Sequence, residues 1–280
     1  MRLATLVLFT LMALPGFARA DLNVVTSIKP LALLLGDLGG EHVQVTTLVP
    51  NAGSIHHYSM RVSDRVAVGN SDLVVLVGAG LEPFMGKLTG IDRDKLLRMD
   101  ELSGIETHGL EGNDDEHNHD NHIDPHLWLS PANSALLAKA ISESLIRLMP
   151  DQRAFFEQRL TEVLASQHRL SDGVNLPDGV DYFAYHNAFT YLLHPFGITL
   201  RGVLTNVNES RVGMRSLYRI KQAVQGASKA CVLVQSNARE VSEKILGQVN
   251  FAEIDVLADQ HEYTSYSEYL AAMLRAIADC

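Results

Sequence analysis

The chain has 280 residues, 46% of them hydrophobic, with 33 acidic against 23 basic side chains and a formal charge of −10. That is enough chain for two modest α/β units or one large one. The acidic balance argues against nucleic acid or an anionic membrane as a partner.

The first residues read as an export signal. Met1-Arg2 gives a positive start, Leu3–Leu14 an apolar run, and Ala18-Arg19-Ala20 a small-x-small cleavage pattern. The run is too short to span a bilayer. Cleavage after Ala20 would put the mature protein in the periplasm, with Asp21 first. Without Arg2 and Arg19, 21 basic side chains face 33 acidic ones, a formal charge of −12. The two cysteines, Cys231 and Cys280, then read as a disulfide, with two buried free thiols as the alternative.

The elements alternate. Leu22–Ile28 predicts a β-branched strand, followed by a Leu-rich helix that Gly39-Gly40 stops, and Val43–Val49 a second strand. Then come a loop with His56 and His57, a short helix over Arg61–Gly69, a buried strand over Leu73–Val77, and a helix over Leu81–Leu88. A weaker strand lies near Leu97 or Ile105. From Asn113 to Asp124 the chain is acidic and histidine-rich, with His117, His119 and His122 and no apolar period. This predicts a mobile loop that holds cations loosely. In Asp124-Pro125-His126-Leu127-Trp128-Leu129-Ser130-Pro131 one histidine sits on a short apolar segment. Ser130 N-caps the next helix, with Pro131 at its first position.

Ala132–Met149 and Arg153–Leu170 carry apolar residues at helical spacing without a glycine, a helical spine rather than a flexible linker. The second half repeats the alternation. Strands are predicted at Tyr182–Tyr185, Ile198–Leu204, Ala230–Val234 and Glu253–Leu257. Helices are predicted after His186, over Val212–Val224 and Arg239–Val249, and over Tyr266–Ala278. The fold class is α/β: two similar domains with parallel sheets joined by a long rigid linker helix. The expected bounds are 1–20 signal peptide, 21–130 N-terminal domain including the 113–123 loop, 131–172 helical linker and 173–280 C-terminal domain.

Four candidate metal ligands follow or sit at the ends of strand-like runs: His56, His126, His186 and Asp255. His56 and His186 are 130 residues apart, His126 and Asp255 129, as expected if two similar domains each give two ligands to a shared cleft. Ligands of open parallel sheets bind beyond the strands' carboxyl ends. Three imidazoles and one carboxylate suit tetrahedral Zn²⁺, whereas Mn²⁺ prefers more oxygen. Capture needs neutral imidazoles, so affinity should fall below about pH 6. No HExxH-like pairing supports a zinc hydrolase, and no enzyme is expected.

VVTSIKPL at Val24–Leu31, GSIHHYSMRVSD at Gly53–Asp64, DLVVLVGAGLEPFM at Asp72–Met85, DPHLWLSP at Asp124–Pro131 and YFAYHNAFTYL at Tyr182–Leu192 carry a resemblance. So do the acidic histidine-rich insert and Tyr263–Tyr266. The chain resembles the zinc-binding periplasmic subunit of bacterial ABC metal importers, of the ZnuA type with a rigid helical spine. The resemblance implies Zn²⁺ capture in the interdomain cleft by His56, His126, His186 and Asp255. It further implies delivery to an ABC permease by a monomer, with a periplasmic zinc metallochaperone as a possible donor. The family's manganese members tend to have a carboxylate where His186 stands. Ile55 and His57 depart from the family's usual proline and acidic residue beside the first ligand. Gln235 stands where zinc members often have glutamate, and the run after Asp255 lacks the usual Pro-Leu-Gly; Asp259, His261 or water are alternatives to Asp255. The other readings are a manganese-binding homologue, or a metal-binding adhesin or metallochaperone.

Overall fold

The computed structural model describes residues 22–50, 55, 58–78, 80–87, 91–109, 123–205 and 214–280. Residues 1–21, where an export signal is expected, and His56, His57 and the histidines at 117, 119 and 122 lie outside the described residues.

The first four strands, β1 (Leu22–Thr26), β2 (Val43–Thr47), β3 (Leu73–Leu76) and β4 (Leu96–Arg98), form a parallel sheet in the order β2-β1-β3-β4. The second set, β5 (Asp181–His186), β6 (Gly202–Thr205), β7 (Ala230–Val234) and β8 (Asn250–Glu253), repeats the plan as β6-β5-β7-β8. Central strands β3 and β7 are apolar runs because both sheet faces are covered. Edge strand β2 alternates half-buried and exposed positions.

Helices α1 (Lys29–Gly39) and α2 (Val62–Asn70) serve the first sheet. The spine is the hairpin of α3 (Pro131–Leu148) and α4 (Arg153–Asp172), which a 3₁₀ turn at Pro150–Gln152 joins. As the sequence predicts, the Ser130 hydroxyl accepts the Asn133 N–H (3.2 Å) and Pro131 opens α3. The second sheet carries α5 (Thr190–Leu193), α6 (Met214–Gly226), α7 (Ser236–Leu246) and α8 (Tyr266–Ala278).

Three elements differ from expectation. Of the helix expected over Leu81–Leu88, the described residues 81–87 give only a 3₁₀ turn over Pro83–Lys87. Glu82 turns inward instead, and its carboxylate accepts the N–H groups of Val77 (3.0 Å) and Gly78 (2.6 Å). Gly78 has φ +150°, and a Cβ there would lie 2.2 Å from the Asp100 side chain, so only glycine fits. Strand β6 starts at Gly202 rather than Ile198. Strand β8 ends at Glu253, so Asp255 stands in the loop beyond it.

The two domains share a core. One continuous buried cluster includes Leu31, Leu34 and Leu35 of α1, Trp128, Leu137 of α3, Phe156 of α4, and Tyr269 and Leu274 of α8. A smaller cluster around Phe183, Ile220 and Val232 fills the other face of the second sheet. Polar ties cross the same boundary. The Asp37 carboxylate accepts the Tyr266 N–H at the start of α8 (2.8 Å), and Arg159 Nε donates to the Asp37 carbonyl (2.7 Å). Trp128 Nε1 donates to the Val256 carbonyl, Tyr269 Oη donates to the same oxygen, and the Tyr266 hydroxyl donates to the Trp128 carbonyl. Parting the domains would expose this core and these groups together, so the fold resists hinge opening. Cys231 in β7 is disulfide-bonded to Cys280, which holds the end of α8 against the second sheet.

Candidate metal centre

The centre is built from the Asp124-Pro125-His126 turn. Proline restricts Asp124 to extended backbone, and the Asp124 carboxylate folds back on His126. Its Oδ1 accepts the His126 backbone N–H (3.0 Å) and lies 2.6 Å from His126 Nδ1. Both side chains are buried. With Nδ1 committed to the carboxylate, Nε2 faces His186, a carboxylate–histidine arrangement that fixes tautomer and ring plane. The other Asp124 oxygen is buried and has no hydrogen-bond donor among the described residues. A nearby cation would offset this buried charge, of which only one oxygen is hydrogen-bonded.

His186 is the last residue of β5, between β6 and β7 in the sheet. The chain reverses direction of sheet growth at β5 and β7, the switch point at which open α/β sheets bind ligands. His186 Nε2 lies 3.4 Å from His126 Nε2, with the rings nearly perpendicular. Two nitrogens about 2.0–2.1 Å from a tetrahedral zinc ion are themselves about 3.3–3.4 Å apart. The two imidazoles are therefore spaced as a zinc pair.

Neighbouring side chains hold that spacing. Trp128 packs on His126 at 5.2 Å between ring centres. The Tyr191 hydroxyl donates to the Asp124 carbonyl (2.9 Å) and accepts the His108 N–H (3.0 Å), which ties the His126 loop to α5 of the other domain. The base of the histidine-rich insert closes here, with Gly109 and Ile123 in an antiparallel bridge.

Asp255 is buried, but its oxygens are engaged. They accept the N–H groups of Asp259 (2.9 Å), Gln260 (3.1 Å) and His261 (3.2 Å) and the Tyr263 hydroxyl (3.1 Å). Burial and the Asp255 carboxylate push the Tyr263 hydroxyl well above its usual pKa, so it remains a donor. Three of the four donors crowd Oδ2, whereas Oδ1 accepts only the Asp259 N–H and keeps acceptor capacity. Among the described residues no three histidine, cysteine or acidic side chains converge as a metal centre. The structure brings His126 and His186 together and leaves Asp255 as the anchor of its own loop. Sequence reasoning left the carboxylate partner of His126 unnamed. The Asp-Pro-His spacing was the signal for Asp124, whereas nothing local marks Tyr191.

Two similar parallel-sheet domains locked by a helical spine, with a histidine from the Asp124-Pro125-His126 turn meeting one at the carboxyl end of β5, have the architecture of a rigid two-domain binding protein. The family model described as ZnuA, the periplasmic component A of a zinc-uptake complex, matches residues 24–280, and the chain belongs to this family. The "High-affinity zinc uptake system protein ZnuA" of Yersinia pestis is 26% identical over 248 residues, 80% of this chain and 78% of that protein. The protein of the same name in Haemophilus ducreyi is 25% identical over 293 residues, covering 93% of this chain and 94% of its own. A ZnuA crystal structure superposes with TM-score 0.76 at 23% identity, over 92% of this chain and 98% of that one. The periplasmic zinc-binding protein TroA of Treponema pallidum gives TM-score 0.74 at 19% identity, with the same coverage. At these identities the superpositions establish the shared fold.

Proposed function

We propose that the chain captures one Zn²⁺ on His126 and His186 and hands it to the permease of an ABC importer. It is a zinc-uptake solute-binding protein of the periplasm, not an enzyme. The observation that carries the ligand assignment is the 3.4 Å between the two Nε2 atoms, backed by the Asp124 carboxylate on His126. His56, outside the described residues, is proposed as the third ligand. Asp255 is proposed to complete the shell through Oδ1, which accepts only the Asp259 N–H, while Oδ2 keeps its three donors. The nitrogen-rich pair favours zinc over manganese. The mature chain is proposed to begin at Asp21 and to act as a monomer, with zinc from solution or from a periplasmic metallochaperone. His117, His119 and His122 are proposed to gather zinc at low affinity.

The test is zinc titration against a competing chelator. His126→Ala and His186→Ala should each weaken binding by more than the ~100-fold that a supporting residue commands. Deleting residues 113–123 should leave tight binding intact. Equal loss from the deletion would overturn this division of roles.

A further inference from the structure

The four most exposed large hydrophobic side chains among the described residues fall on two helices. Val62 and Val66 of α2 are 80% and 56% exposed, and Met214 and Tyr218 of α6 are 78% and 68% exposed. Each pair is spaced i, i+4, so each forms one ridge on its helix. The two helices are also counterparts. α2 connects edge strand β2 to β3, and α6 connects edge strand β6 to β7, at the same place in two sheets of the same order. Each follows a parallel strand, so each begins on the carboxyl-end side of its sheet, the side that carries His186.

The charges match as well. Exposed Arg61 and Arg65 flank the ridge on α2, and exposed Arg215 and Arg219 flank the ridge on α6. Over Met214–Gly226 there is Lys221 besides, and no acidic residue. Asp64 of α2 is committed to the Tyr58 hydroxyl and the Arg61 N–H, both at 2.6 Å. Two basic, apolar patches thus stand on a protein whose formal charge is −10.

We infer that these patches are a paired docking surface for the importer's permease, one patch per domain on either side of the metal cleft. The partner would present two matched apolar sockets edged with acidic side chains, as a two-fold or pseudo-two-fold membrane assembly can. A second copy of this chain fits poorly, because a two-fold contact through the same patch sets arginine against arginine. An anionic bilayer fits poorly because the whole protein is acidic. The inference rests on the zinc-importer reading, and deepens it by naming the contact surface.

The experiment measures binding of the zinc-loaded mature protein to nanodiscs carrying the permease of the same uptake system. Empty anionic nanodiscs run in parallel. One variant combines Arg65→Glu with Val66→Asp, a second Tyr218→Asp with Arg219→Glu, and a third all four. Each two-residue variant should lose about tenfold or more in permease affinity. The four-residue variant should abolish zinc-dependent uptake in cells that lack the resident protein. Zinc affinity should stay within about twofold, since exposed substitutions scarcely perturb the fold. Undiminished permease binding by the four-residue variant would overturn the inference. So would equal binding to empty nanodiscs, a dimer of the unaltered chain that the substitutions dissolve, or a loss of zinc affinity in the variants. Failure of the metal assignment is read separately, from the His126 and His186 substitutions.

Discussion

Asp124→Asn isolates what the buried carboxylate does for the metal centre. The amide keeps the side chain's volume and an oxygen that can accept the His126 Nδ1–H, removing the charge and placing an NH₂ group at the buried Oδ2 position. Both groups are sealed from solvent, at 0% and 2% side-chain exposure, so water does not screen the change. A hydrogen bond to a charged group contributes roughly 1–1.5 kcal/mol more than a neutral one. That converts to about a tenfold weaker zinc affinity, at the lower end of the ~10–100-fold typical of residues that support a metal ligand. The assay is competition with a zinc-chelating fluorophore at neutral pH, together with thermal melts with and without zinc. The zinc-induced rise in melting temperature should shrink. Zinc affinity within twofold of the unaltered protein would refute the claim that the Asp124 charge tunes His126.

Glu82 gives a pH prediction. Burial is the main cause that pushes its carboxyl from 4.5 up to about 7, against the lowering effect of the Gly78 and Val77 N–H groups. Between those values the folded protein holds a proton that the unfolded chain has released. Stability therefore falls as pH rises through that window, by up to about 3 kcal/mol from this group. Glu82→Gln should flatten the stability profile between pH 5 and 8 in denaturant titrations; an unchanged slope would count against it. Breaking the Cys231–Cys280 disulfide frees a sequence separation of 49 residues. Reduction should lower stability by roughly 4 kcal/mol in the chain-entropy model, seen as a lower denaturation midpoint. Asp37→Ala removes the acceptor of the Tyr266 N–H at the start of α8. It should cost about 1–2 kcal/mol and speed amide exchange in α8, while leaving zinc affinity unchanged.

The amino-acid order alone determined the alternation of strands and helices, because apolar runs of period 2 and 3.6 are local properties. It also determined the spine's start, where Ser130 and Pro131 satisfy helix-end chemistry without help from elsewhere. His126 and His186 were legible for a related reason: the residue just past a parallel strand, or in an Asp-Pro-His turn, is placed by its own backbone. Tertiary structure decided the rest. Residues 81–87 form no α-helix because Glu82 is buried at the tip of β3, where it accepts the N–H groups of Val77 and Gly78. Asp255 is held by four donors from the loop that follows it, Asp259 to Tyr263, and only the folded form of that loop brings them onto one carboxylate. The rigidity of the pair of domains came from Trp128, Tyr191, Tyr266 and Asp37. Their partners lie across a boundary that no sequence window spans, so only the packed chain brings them within hydrogen-bond reach.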